Sequence, residues 1–412
     1  MTSEFPSTLS ARTPLSLPRL AIVLSHPTQY YSPWFAWLAA HAPIDLRVFY
    51  LWDFGITAQR DPQFGTTFAW DRDLLAGYSH EFVPNQSSDL GTHHFRGLDN
   101  PTLITRLVAW APNAVLVFGY NYLTHLRLLL GTRWPLLFRG DSHLIDHPPP
   151  RLFKRCLLHL LYSRFAALTF VGQANREYFQ AFGARESRLH FVPHCVDATH
   201  FAATPTRIAE STTLRERLCL GSRRVVLFAG KFVPDKQPLP LLQAFLALAP
   251  PDTALVFVGQ GEELPFLEAA AAARPDVVVR FLPFANQSEM PARYLLADIF
   301  ALPSRGLYET WGLSVNEAMH LGVPCLVSNR VGCQRDLVTD GVTGWVFRAA
   351  DPSALASTLF RALQDISHRG PDIRAAVARR IAGYTYEHAT EGLMRAVTSV
   401  LGQRPPILSS SK

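Results

Sequence analysis

Cysteine is scarce and unpatterned: Cys156, Cys195, Cys219, Cys325 and Cys333 form no C-x-x-C pair, and no histidine cluster stands at metal-ligand spacing along the chain. This excludes a disulfide scaffold or a thiolate metal site and reads as five buried thiols in a reducing compartment. Charge is sparse as well, at 17% of residues against 48% hydrophobic, which excludes a disordered chain. No run of ~20 apolar residues is present, so no membrane-spanning helix is expected. The first eighteen residues lack the apolar core of a secretory signal, and the expected location is cytoplasmic. No RRM, KH or helix-turn-helix signature and no basic stripe interleaved with aromatics occurs, so a nucleic-acid partner is not expected.

The charge that remains leans basic, with a formal net charge of +6, which favours anionic partners such as nucleotides, phosphorylated lipids or a membrane surface. A length of 412 residues suggests two domains of about 200 residues each. Apolar, β-rich runs at 20–24, 46–51, 114–118, 135–138 and 167–171 alternate with helical patterns. The same alternation resumes at 225–228, 254–258, 277–281, 299–302 and 324–327. Alternation of this kind predicts βαβ units, and hence two α/β Rossmann-like domains with ligands at the carboxyl ends of the strands in a central cleft. The divisions are a disordered tail 1–18, a first domain 19–203, a linker 204–222 and a second domain 223–383. A terminal helix 384–402, set to pack back on the first domain, and a tail 403–412 complete the chain.

The most informative stretch reads SRGLYETWGLSVNEAMHLGVPCLV over 304–327 and places Glu309 and Glu317 eight positions apart. Between them Trp311, Gly312 and Leu313 form a turn into a helix that starts near Ser314 and carries Glu317 in its first turns. A helix N-terminus offers free N–H groups and the positive end of its dipole to a diphosphate, and a carboxylate beside it accepts hydrogen bonds from ribose hydroxyls. Two glutamates at this spacing also fit a plain solvated helix face. Upstream, VVLFAGKFVPDKQPL runs from a strand through Gly230 to Lys231 and Lys236, two point charges that either clamp a diphosphate or stand solvated on a loop.

These residues resemble the retaining glycosyltransferases of family 4, whose E-x7-E motif is matched by Glu309 and Glu317 together with Pro303, Ser304, Gly312, Ala318, Met319, Gly322, Val323 and Pro324. The resemblance covers nearly all of 223–400 and implies the GT-B fold, a nucleotide diphosphate sugar as donor, and no cofactor or metal. It further implies that Glu317 holds the donor ribose, that Glu309 lies beside the transferred sugar, and that Lys231 and Lys236 hold the diphosphate. Lys231 stands where the family more often has arginine. Gly230, Phe284, Trp311, Gly312 and Leu313 complete the implied donor site, with Phe284 in the segment FLPFAN that meets the base.

The first half departs from the family. After the first strand, SHPTQYYSPWF stands where a glycine-rich loop is common, so His26, Gln29 and Tyr30 offer side chains where backbone would otherwise approach the phosphates. His26 reads equally as a capping residue. Beyond the strand at 135–138 come Arg139, Asp141 and His143, of which Asp141 is expected nearest the reacting sugar; Tyr120 and Asn121 are candidates for the acceptor side. Segment 192–201 reads as a hinge, and Asp71-x-Asp73, a metal signature of another glycosyltransferase fold, is set aside as a chance tripeptide.

The resulting expectation is a retaining, metal-independent glycosyltransferase with Glu309, Asp141, Lys231 and Lys236 catalytic and a sugar or lipid-linked hydroxyl acceptor of polysaccharide or glycolipid biosynthesis. A nucleotide-sugar epimerase of the same fold and a non-catalytic nucleotide-sugar-binding protein are the rivals. RLFKRCLLHLLYSRF over 151–165 reads either as a core-packed helix with a basic edge or as a face for an anionic membrane.

Overall fold

The computed structural model describes residues 17–56, 59–60, 67–68, 70–349 and 351–402, and the expected tails at 1–18 and 403–412 lie outside these apart from positions 17 and 18. Each of the ten apolar runs forms a strand, because a strand between parallel neighbours has both faces covered and no room for polar side chains. The strands of the first domain are β1 (Arg19–Leu24), β2 (Asp45–Tyr50), β3 (Gln59–Arg60), β4 (Thr67–Phe68), β5 (Ser79–Phe82), β6 (Ala114–Phe118), β7 (Leu136–Arg139), β8 (Ala167–Phe170) and β9 (Leu189–Phe191). Those of the second are β10 (Arg224–Ala229), β11 (Thr253–Val258), β12 (Val278–Leu282), β13 (Ile299–Leu302), β14 (Cys325–Ser328) and β15 (Gly344–Phe347).

β3 and β4 pair antiparallel, and among the described residues the other strands pair in parallel, in the orders β5-β2-β1-β6-β7-β8-β9 and β12-β11-β10-β13-β14-β15. Besides the two-residue strands β3 and β4, the strands that the apolar pattern misses are β5, β9 and β15, all sheet edges, where one side of the strand is unpaired and the run of apolar residues shortens. Strand order reverses at β1 in one sheet and at β10 in the other, so the loops after β1, β6, β10 and β13 open crevices at the carboxyl ends.

Two expectations need correction. The stretch 204–222 is no simple linker: Pro205–Arg217 is a helix, capped by the Thr204 hydroxyl accepting from the Arg207 N–H, with Ser211 and Leu214 buried. Its polar, basic composition is the solvated face of that helix, and Arg215 bonds the carbonyls of Gly221, Arg223 and Leu296. Of the five thiols, Cys195, Cys325 and Cys333 are buried while Cys156 and Cys219 are exposed.

The chain ends by crossing back. After the kinked helix Pro352–Ile381, helix Tyr386–Leu401 lies on the first sheet, burying Ala389, Leu393, Met394 and Val397 in a core with Leu20, Ile22, Trp34 and Leu38. The Trp34 indole N–H donates to the Thr390 hydroxyl at 3.1 Å. Close approach depends on Gly392, where an added Cβ would sit 2.0 Å from the Phe191 carbonyl oxygen. Gly392→Ala is therefore expected to cost about 1–3 kcal/mol in thermal or urea unfolding by forcing the helix off the sheet. Gly383→Ala, with no atom within 4 Å of the new methyl, is expected to be nearly neutral in the same measurement.

Candidate active site

The two crevices face each other across one cleft of about 490 Å³. Its second-domain wall is built by the loops after β10 and β13, tied together where Arg305 and Gly306 donate backbone N–H groups to the Asp235 carbonyl at 2.9 and 3.2 Å. This brings the Lys236 ammonium into an ion pair with Glu309, whose same carboxylate oxygen accepts from the Ser304 hydroxyl at 2.7 Å. The Glu309 side chain is 11% exposed and that of Lys236 is 32% exposed, so the pair meets the cleft from a largely desolvated wall.

Gly312 adopts φ +96 and starts helix Leu313–His320; a side chain there would press to 2.9 Å from Leu302 and Val331. Glu317, just inside this helix, is buried at 3% exposure. One of its carboxylate oxygens accepts from the Tyr294 hydroxyl at 2.7 Å, and the other has no partner although it is out of contact with solvent. Burial pushes the Glu317 carboxyl up to about 7, with the side chains of Tyr294, Tyr30 and Gln287 pulling only partly the other way. Burial and the Glu317 charge together raise the Tyr30 phenol, so it stays a hydroxyl.

The first-domain wall comes from the loop after β1 and the end of β7. His26 accepts or donates at Nδ1 with the Ser25 hydroxyl, 3.0 Å away, and meets the rings of Trp52 and Phe54 edge-on. Burial lowers it to about 4, so it is a neutral hydrogen-bonding group at neutral pH. Burial acts to raise the Asp141 carboxyl, yet His194 at 3.5 Å and the Thr310 hydroxyl donating at 2.8 Å outweigh it and hold Asp141 at about 2. Its side chain remains 40% exposed toward the cleft, as a fixed negative charge.

All residues proposed for the donor site, namely Gly230, Lys231, Lys236, Phe284, Glu309, Trp311, Gly312, Leu313 and Glu317, line this one cleft, together with Asp141, His26, Gln29 and Tyr30. Four candidates do not. Arg139, 2% exposed, lies over the rings of Trp34 and Tyr31 and donates to the carbonyls of Val192 and Pro193, holding the crossover segment from behind. Tyr120 packs against Phe138 and Tyr162, and Asn121 is exposed outside the lining. His143 is buried behind Glu309: its Nδ1 accepts from the Ile145 N–H, so its Nε2 proton donates to the Glu309 carbonyl at 3.3 Å.

The residue the sequence hides is His194. It sits in the segment read as a hinge, yet it lines the cleft between the rings of Tyr31 and Trp311 and beside Asp141. Burial lowers its basicity, opposed by Asp141 and reinforced by the Arg139 charge. Only its position after the last strand of the first sheet hinted at a place in the site. Thr310, Tyr294 and Gln287 also line the cleft without having been singled out.

Asp71 clasps the two domains beside the cleft, accepting from the Ser288 N–H at 3.1 Å, while Arg72 pairs with Asp197 of the crossover segment at 2.8 Å. Asp73 accepts from the Leu75 N–H. On another side, both Asp336 carboxylate oxygens accept from the Gln173 N–H at 3.1 Å, and Arg335 pairs with Glu177. A histidine cluster does exist in space, contrary to the linear pattern. A loop closed by the Gly91–Gly97 backbone bond gathers Asp89, His93 and His94 outside the cleft lining, with one ligand atom of each within 4.8 Å of the others.

Residues 211–375 match the family model described as "Glycosyl transferases group 1". Among curated proteins, a GDP-mannose-dependent alpha-(1-6)-phosphatidylinositol monomannoside mannosyltransferase of Mycolicibacterium smegmatis is 34% identical over 227 residues, 52% of this chain and 56% of that protein. A D-inositol 3-phosphate glycosyltransferase of Frankia alni is 32% identical over 300 residues, 66% of this chain and 71% of that protein. The chain spans about half the length of the first of the curated relatives it matches. Among solved structures, Anabaena HepE in complex with UDP and glucose superposes with a TM-score of 0.66 at 16% identity, covering 93% of this chain and 100% of that one. Sucrose-phosphate synthase from Thermosynechococcus elongatus does so with a TM-score of 0.69 at 16% identity, covering 93% and 99%. At such identities the structures speak for the fold alone, and that fold is GT-B. The relative matched over 71% of its length and the family-model match together place the chain in the group 1 glycosyl transferase family.

Proposed function

We propose that this chain is a retaining glycosyltransferase of the family 4 type, moving a sugar from a nucleotide diphosphate sugar to a hydroxyl acceptor without a metal ion. The observation that carries the reading is the unpartnered, buried carboxylate oxygen of Glu317, one turn into helix Leu313–His320, in one cleft with Lys231, Lys236 and Glu309. A buried acceptor without a donor is costly, and ribose hydroxyls supply the missing partners. The diphosphate then lies between the two lysines and the helix N-terminus.

In the reaction the bond from the anomeric carbon to the diphosphate oxygen breaks, and the leaving diphosphate keeps the electron pair. The acceptor hydroxyl attacks from the same face and gives its proton to that phosphate oxygen. Lys231 and Lys236 neutralise the leaving group, and Asp141, ionised well below neutral pH, faces the oxocarbenium-like charge on the sugar. Glu309, anchored by Lys236 and Ser304, orients the sugar hydroxyls.

Relatives named for phosphatidylinositol mannoside and inositol 3-phosphate acceptors favour an acceptor from glycolipid or polysaccharide synthesis. Among the described residues no helix is long and apolar enough to cross a membrane. Peripheral association with the anionic, cytoplasmic face of a membrane fits such an acceptor.

Three outcomes test this reading. Thermal shift with a panel of nucleotide sugars identifies the donor, and in its presence Lys236→Ala should lower the initial transfer rate by about 10²–10³-fold, with Lys236→Arg recovering part of it. Transfer should persist in excess EDTA; loss on chelation with rescue by manganese would end the metal-independent reading. Finally, burial holds Glu317 near 7, so the carboxyl is mostly neutral about one pH unit lower and mostly carboxylate about one unit higher. Ribose hydroxyls donate more strongly to the carboxylate, so nucleoside diphosphate affinity should rise through that window. Calorimetric titration of Glu317→Gln should lack the part of the rise that the wild type shows; identical pH profiles would remove Glu317 from ribose binding.

A further inference from the structure

Helix Leu152–Ser163 follows the cleft loop directly, with Leu152 eleven residues after Asp141. Its buried residues are Leu158 and Tyr162, one turn apart, and this narrow seam holds it to the domain. Leu161 packs partly against the same core, and the other large apolar side chains point outward. Leu152, Phe153, Leu157 and Leu160 are 76%, 80%, 54% and 69% exposed. At helical spacing, 152, 156 and 160 stack on one line with 153 and 157 beside them, so these residues form one continuous stripe opposite the seam. Leu130, 77% exposed, stands at the end of helix Leu123–Gly131, which Arg164 joins to this helix by donating to the Leu129 and Thr132 carbonyls.

Exposed Arg151, Lys154 and Arg155 flank the stripe, and no Asp or Glu occurs between 151 and 164. Arg164, counted among the cations from sequence, is committed to those two carbonyls. A stripe of large apolar side chains is costly to leave in water, and a bare ring of cations around it repels another copy of itself, since nothing acidic is present to pair across a two-fold contact. An anionic lipid surface satisfies both halves: acyl chains take the leucines and the phenylalanine, and headgroups take the cations.

We propose that the outward face of helix Leu152–Ser163, with Leu130, docks on an anionic bilayer and thereby presents the cleft to an acceptor carried in that bilayer. The proposal deepens the transferase reading and rests on it for the acceptor, while the docking itself does not depend on it. The loop between Asp141 and Leu152 connects the two, bonding the second domain through His143 to the Glu309 carbonyl and through His147 to the Leu307 carbonyl. The docking helix is therefore the direct continuation of a loop that is bonded to the cleft wall.

The experiment is co-sedimentation of the full chain with vesicles of neutral phosphatidylcholine, or of phosphatidylcholine with about 30% phosphatidylglycerol. Recovery should be at least about tenfold greater in apparent affinity on the anionic vesicles and should fall with added salt. Lys154→Gln with Arg155→Gln should remove most of that preference, and Leu152→Ser with Phe153→Ser and Leu157→Ser should remove binding altogether. All five positions are exposed, so unfolding temperature and the nucleotide-induced thermal shift should match the wild type in both variants. That readout separates failure of docking from failure of the transferase reading. Equal recovery on both vesicle types, or unchanged anionic binding by either variant, overturns the proposal. So does an absence of vesicle binding with a concentration-dependent dimer that the serine variant dissolves, which would make a second copy the occupant.

Discussion

Asn316 joins the two halves of the active cleft, and much of the site geometry depends on that one buried amide. Its side-chain carbonyl accepts from the Trp311 indole at 2.8 Å, and its amide donates to the His194 carbonyl at 3.0 Å. Trp311 and Gly312 form the turn into the helix that carries Glu317, while His194 belongs to the segment crossing between the domains. Through Asn316, the turn into helix Leu313–His320 and the crossover are therefore one unit. Thr310 and Asp141 add a second bond across the same junction. In a site shielded from water these bonds are expensive to break, because each freed partner would stay buried.

That junction also sorts the charges. Glu317 and Asp141 are both carboxyls in one cleft, yet burial lifts the first to about 7, while His194 and the Thr310 hydroxyl hold the second at about 2. Separation of this kind follows from placement: Glu317 is enclosed by Tyr294 and the helix, whereas Asp141 sits between a histidine and a hydroxyl. Glu309 is fixed differently, by a cation and a serine. The result is a wall with lysines facing a wall with a fixed carboxylate across one cleft.

The first domain, by contrast, spends its apolar surface on two targets. Its sheet accepts the returning helix Tyr386–Leu401, which binds the end of the chain to its beginning and leaves the second domain connected at both the crossover and the return. Its helix Leu152–Ser163 keeps an apolar face turned away from that core. A soluble helix normally buries such a stripe, so the outward orientation makes this surface distinct from the rest of the domain.

Much of this was legible along the chain. Ten strands were visible because parallel strands covered on both faces must be continuously apolar, and the two glutamates, two lysines and Gly312 were visible because a tight turn from strand into helix constrains residue type and spacing locally. What escaped was set by partners distant in sequence. Edge strands β5, β9 and β15 carry no unbroken apolar run, and the polar face of Pro205–Arg217 looked like a linker. Arg139 looked like a site residue until its carbonyl and aromatic partners were in place, and His194 looked like a hinge until Asp141 and Trp311 closed around it. The amphipathic pattern of 151–165 set a stripe on a helix, but either face of that helix fitted the sequence. Packing chose Leu158 and Tyr162 for the core and left Leu152, Phe153, Leu157 and Leu160 outside, because periodicity defines faces while only the neighbouring surface decides which face is covered.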